Sequence, residues 1–103
     1  MQEYQLFIDN EYVPSSTGVY TDDMNPATNQ PYARIQNASK ADVEKALASS
    51  QKAFQSWKDL TPGARERLLL KVADVMEARS KELADVLIDE AGSTLLKAGY
   101  ETH

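Results

Sequence analysis

Cysteine is absent from these 103 residues. That excludes a disulfide framework, a thiolate nucleophile and a Cys-ligated zinc site within them. Histidine occurs once, as His103, and a terminal residue reads as tail rather than catalytic base. Four glycines, at 18, 63, 92 and 99, never approach the G-x-G-x-x-G spacing that cradles a pyrophosphate. No apolar run nears the roughly 20 residues needed to span a bilayer. The N-terminus has no basic segment followed by an apolar one, so a secretory signal is not expected and a cytoplasmic protein is the default. Net charge is −5, which disfavours nucleic-acid and anionic-membrane partners.

What remains is an ordinary globular composition, 42% hydrophobic and 26% charged, which argues against disorder. Many of the hydrophobic residues are Ala, so the supply of large core side chains is thin. One domain at most is expected. No internal repeat or low-complexity segment is present.

Two short β-prone runs, Leu6-Phe7-Ile8 and Glu11-Tyr12-Val13, flank Asp9-Asn10, whose side chains tolerate the positive φ of a two-residue hairpin loop. Pro14 interrupts the ladder, and Ser15-Ser16-Thr17-Gly18 reads as an exposed loop. Val19–Met24 and Pro31–Gln36 read as further strands about a turn at Asn25-Pro26. Residues 1–38 are therefore expected to form a small antiparallel strand and hairpin unit, too slight to be stable alone. Residues 39–103 are expected to form a helical unit.

Ser39 is a good N-cap with Asp42 three residues on, opening a helix from Lys40 to about Lys58. Its expected buried face is Val43, Ala46, Leu47, Ala53, Phe54 and Trp57, with Trp57 as a core anchor at the helix end. Thr61 caps the next helix, and Pro62 suits its first position. In that helix Leu68, Leu69, Val72, Val75, Met76, Leu83, Val86 and Leu87 recur at helical spacing and form one apolar stripe. Lys71, Asp74, Glu77, Lys81, Glu82 and Asp85 occupy the opposite face. A kink is expected near Arg79-Ser80, with Ser80 able to cap a new start, and Gly92 provides a stop. Leu95–His103 begins another helical pattern for which no cap is evident. The fold class is thus α+β, a strand unit followed by two to three amphipathic helices.

Candidate chemistry is sparse. Asp22, Asp23, Asn25, Thr28 and Asn29 concentrate oxygen ligands, but an EF-hand counted from Asp23 has Arg34 in place of the final Glu and no Gly at its sixth position. Turn formation explains the cluster. Asp85, Asp89 and Glu90 lie about one helical turn apart, with no His nearby, and read as solubilising charge. Arg65, Arg67 and Lys71 share the second helix with Glu66, and the mixed charge reads as surface. No catalytic, cofactor-binding or metal-ligating residue is assigned.

The order of features is more specific than any one of them. The hairpin Leu6–Val13 leads to Asn25-Pro26-Ala27-Thr28-Asn29 and a strand. Ser39-Lys40-Ala41-Asp42-Val43 then opens a helix carrying Ala53-Phe54 and Trp57. Pro62, Arg65 and Arg67 follow, then Leu70-Lys71-Val72-Ala73-Asp74-Val75-Met76-Glu77, Glu82-Leu83-Ala84 and Glu90-Ala91-Gly92. From about Leu6 to Glu101 this resembles the N-terminal portion of the NAD(P)-dependent aldehyde dehydrogenase superfamily. Ser93-Thr94 after Gly92, where the family usually has Lys-Pro, together with Lys97-Ala98-Gly99-Tyr100-Glu101, resembles the benzaldehyde or vanillin dehydrogenase branch.

The resemblance implies a scaffold: a peripheral strand pair and helices that normally pack on a Rossmann-like α/β NAD-binding domain. The parent reaction it implies is thiolate attack on an aldehyde, hydride transfer to NAD or NADP, and hydrolysis of the thioester to an acid. The family's cysteine nucleophile, glutamate base, oxyanion-hole asparagine and dinucleotide-holding residues have no counterparts here. An N-terminal fragment is therefore expected, inactive alone and not expected to bind NAD or NADP. Its expected partner is the remainder of an aldehyde dehydrogenase chain, in a parent that is a homo-oligomer. The competing reading is a self-contained α+β protein-interaction module without catalysis.

Overall fold

The computed structural model describes residues 2–102. Five strands precede four helices: β1 Gln2–Tyr4, β2 Leu6–Ile8, β3 Glu11–Val13, β4 Tyr20–Asn25, β5 Gln30–Gln36, α1 Lys40–Lys58, α2 Pro62–Ala78, α3 Ser80–Ala91 and α4 Leu95–Glu101. They divide into two compact units. One takes in the chain up to Asp23 together with Pro31–Leu60; the other takes in Met24–Gln30 and the chain from Thr61 onward.

In the first unit, β2 and β3 form the expected antiparallel hairpin, with Leu6 opposite Val13, Phe7 opposite Tyr12 and Ile8 opposite Glu11. Asp9 and Asn10 both adopt positive φ, 54° and 62°, the conformation that a two-residue loop matched to strand twist requires. The Phe7 and Tyr12 rings pack with centroids 5.1 Å apart. Leu6, Ile8 and Val13 are half-buried, while Phe7 and Tyr12 are exposed on the other face. β2 packs against α1, and Ser49 Oγ donates to Asp9 Oδ1 at 2.9 Å.

The strand unit is not wholly antiparallel. β1 pairs parallel with β5, Gln2 to Ala33, Glu3 to Arg34 and Tyr4 to Ile35, in a sheet ordered β1-β5-β4. Three residues with two polar side chains carry no periodicity, and their partner lies far along the chain, so β1 escapes a local reading. Arg34 ties the sheet together by bonding Glu3 at 3.3 Å, approaching Asp22 at 3.6 Å and lying over the Tyr20 ring.

Helix limits follow local chemistry closely. Ser39 caps α1 in a reciprocal capping box with Asp42, and Thr61 accepts from Ala64 N at the start of α2, with Pro62 in its first turn. The long second run breaks between α2 and α3 as expected. Arg79, with φ −107° and ψ 17°, is the junction residue, and no side chain caps α3, so Ser80 is not its cap. Arg79 instead makes a two-pronged ion pair with Glu82, at 2.9 and 2.7 Å. That pair holds the Glu82 carboxyl below its ordinary value.

Gly92 ends α3 in the left-handed region, with φ 68°. A Cβ there would stand 3.0 Å from the Pro26 ring, so both backbone shape and space call for glycine. The described residues form four helices rather than two or three. Thr94 caps α4 by accepting from Lys97 N, supplying the cap that sequence reading had not found. α4 packs on α3, its Ala98 is fully buried, and Thr102 donates its hydroxyl to the Ala98 carbonyl.

The apolar core is very small. Ala33 and Ala98 are the buried hydrophobic residues among those described, and no large side chain is fully buried. The face expected to bury α1 is instead mostly open: Val43, Leu47, Phe54 and Trp57 are exposed and only Ala46 is half-buried. Trp57, 37% exposed, is not a core anchor within this chain. Periodicity correctly identified an apolar face, but it carries no information on what covers that face.

Candidate functional site

The most highly organised group in the first unit is polar. Asp42, 5% exposed, sits in the first turn of α1, and its Oδ2 accepts from the Ser39 N–H at 2.9 Å and the Ser16 N–H at 3.1 Å. The Ser16 hydroxyl donates to the same oxygen at 3.0 Å. Because that hydroxyl proton is committed, the 2.6 Å approach of Ser39 Oγ to Ser16 Oγ assigns Ser39 as donor there. Ser39 Oγ in turn accepts from Asp42 N.

The backbone N–H of Ser39 is the main cause holding the Asp42 carboxyl down, from 3.8 to about 2. Desolvation opposes it, and the Ser16 N–H, the Ser16 hydroxyl and the Ser39 hydroxyl reinforce it. Around this centre Ser15 N donates to Gln36 Oε1 at 2.7 Å, and Gln36 Nε2 donates to Tyr20 Oη at 3.1 Å. The hydroxyls of Ser15 and Thr17 both donate to the Asn37 carbonyl. No buried side-chain polar atom among the described residues lacks a partner. The network's members bond mainly to one another. Its chemistry is structural.

The residues singled out from sequence do not assemble elsewhere. Asn25 Oδ1 accepts from Ala27 N and Thr28 N, Asn29 N donates to the Asn25 carbonyl, and Asn29 takes φ 56°. These residues build a turn, as expected. Asp22 lies near Arg34 on the sheet, and Asp85 pairs with Lys81 at 2.8 Å, which raises the lysine. Asp89, Glu90, Arg67 and Lys71 are exposed and Arg65 is half-buried. No group of three or more His, Cys, Asp or Glu among the described residues is placed to hold a metal ion. Gly18, Gly63, Gly92 and Gly99 stand on a loop, the first turn of α2, the end of α3 and within α4. His103 lies outside the described residues.

What is left is apolar surface. On α2 and α3, Leu68, Leu69, Val72, Val75, Met76 and Val86 are all exposed, Leu69 at 59%. On α4, Leu95 is 81% exposed, with Leu96 and Tyr100 also bare. On α1, Ala53, Phe54 and Trp57 line a shallow open concavity with Leu60. Scattered apolar residues on a surface need no explanation, but contiguous helical stripes of them mark a packing face.

Against that geometry, the sequence pattern of the aldehyde dehydrogenase family matches residues 12–103. The chain belongs to this family. It is 36% identical over 99 residues to the salicylaldehyde dehydrogenase of Pseudomonas sp. (strain C18), a match covering 96% of this chain and 20% of that protein. The crystal structure of a salicylaldehyde dehydrogenase from Pseudomonas putida G7, complexed with salicylaldehyde, superposes with a TM-score of 0.93 at 36% identity, covering all of this chain and 21% of the other. An NAD-dependent aldehyde dehydrogenase from Sinorhizobium meliloti gives a TM-score of 0.90 at 33% identity, over 98% of this chain and 21% of that one.

The chain therefore spans about a fifth of the length of these aldehyde dehydrogenases and corresponds to their N-terminal portion. Its strands and four helices reproduce that portion of the family fold. No helix of the described residues is long and apolar enough to cross a membrane.

Proposed function

We propose that this chain is the N-terminal scaffold of an NAD(P)-dependent aldehyde dehydrogenase that oxidises an aromatic aldehyde to its carboxylic acid. The scaffold contributes no reacting group. The observation that carries this reading is the open apolar stripe of α2 and α3 in a chain spanning a fifth of its relatives. Burying one large aliphatic side chain gains about 1.5–3 kcal/mol, so a stripe of this length has a strong drive to be covered. The partner is the remainder of an aldehyde dehydrogenase chain, the parent is a homo-oligomer, and NAD or NADP belongs to the parent. The similarity to salicylaldehyde dehydrogenases supports the aromatic substrate class.

Two measurements test the reading. The purified chain, mixed with salicylaldehyde and NAD or NADP, is expected to give no rise in NADH or NADPH absorbance; turnover by this chain alone would overturn the proposal. A chimera with this chain in place of the matching stretch of a salicylaldehyde dehydrogenase is expected to keep the oxidation. A folded but inactive chimera, with a sharp concentration-independent melt of the isolated chain as a monomer, would favour an autonomous interaction module instead.

A further inference from the structure

We propose that Ser15–Thr17 is a strap latched to the first turn of α1 by Asp42, so that the strap orders and the helix is capped as one event. The strap joins the end of β3 to the start of β4, and small polar residues with no large apolar anchor make it up. Its backbone donors are held by side chains instead of by a ladder. Ser15 N goes to Gln36 Oε1, Ser16 N to Asp42 Oδ2, Thr17 N to Ser15 Oγ and Val19 N to Thr17 Oγ1.

A single carboxylate oxygen receives both the helix-capping Ser39 N–H and the strap's Ser16 N–H and hydroxyl. Releasing either side strips donors from the same oxygen, on a residue only 5% exposed to the water that could replace them. The two halves are therefore bound to form and open together. Since β2 rests on α1 and the strap follows the hairpin, the latch also restrains the hairpin's departure from α1. The device is conformational, not catalytic.

Hydrogen exchange of the whole chain, resolved by amide, tests it from both ends. Asp42→Ala is expected to speed exchange by about tenfold or more at the Ser15 and Val19 amides, neither of which bonds to Asp42. Gln36→Ala, at the far end of the strap, is expected to speed exchange at the Asp42 and Val43 amides in the first turn of α1. Acceleration confined to Ser16 and Ser39 in the first variant, or an unchanged α1 turn in the second, would overturn the proposal. If Asp42→Ala also loses protection in α3, the milder Ser16→Ala decides by the same criterion. Faster Ser15 and Val19 amides then support the latch, and unchanged ones sink it.

Discussion

The two compact units solve the shortage of large core residues in opposite ways. The first is closed by hydrogen bonds, with Asp42, Ser15 and Gln36 buried in one network. The second is closed by small residues, with Ala98 of α4 fully buried and Gly92 against the Pro26 ring. Among the described residues of neither unit does a large aliphatic or aromatic side chain become fully buried. Polar closure is directional and specifies one arrangement, whereas the small-residue approaches depend on shape alone. Many large apolar side chains stay exposed in both, among them Phe54 and Trp57 in the first and Leu69 and Leu95 in the second.

The sharpest way to break the second unit is to enlarge its tightest contact. Ala98→Leu forces side-chain atoms into a site that is 0% exposed, and about 1–3 kcal/mol of destabilisation is expected, read as a lower denaturant midpoint. Gly92→Ala should cost about 1–2 kcal/mol from its left-handed backbone alone, with the Pro26 contact adding strain. Helix signal should be lost first at the end of α3.

Acid should distinguish the first unit. The Asp42 carboxyl is depressed in the folded chain, so its contribution is complete above the ordinary carboxyl value of 3.8 and is lost as pH falls towards about 2. Protection of the Ser16 and Ser39 amides is expected to fall across that window, and Asp42→Asn should remove the corresponding step.

The smallest effect is expected at the stripe. Val72→Lys lies on exposed surface and should change the stability of the isolated chain by no more than about 0.5 kcal/mol, with less aggregation. In the salicylaldehyde dehydrogenase chimera the same substitution should abolish folded, active enzyme. Equal tolerance in both settings would show that the stripe is surface, and the contrast between closed interiors and covered exteriors would fail.

Much of the local structure was legible because its causes are local. Ser39 with Asp42, Thr61 with Pro62, and Gly92 mark helix ends within three residues of where they act, and Asp9-Asn10 carries the hairpin turn in its own backbone preferences. Thr94 was equally local, but the short helix behind it carries a weak periodic signal. β1 was hidden because its evidence is a partner at Ala33–Ile35, not a pattern of its own. Asp42 was legible as half of a capping box, but its bonds to Ser16, 26 residues upstream, were not.

Sequence alone determined the starts of α1 and α2, the stop at Gly92, the hairpin turn, the apolar stripes, the absence of cysteine and the family. These depend on backbone preferences, residue chemistry and the order of motifs along the chain. Only the tertiary structure decided which groups became interior. Asp42 and Ala98 are buried while Phe54 and Leu69 stay exposed, because burial depends on which distant segments meet, and among the described residues that meeting fully buries no large apolar side chain.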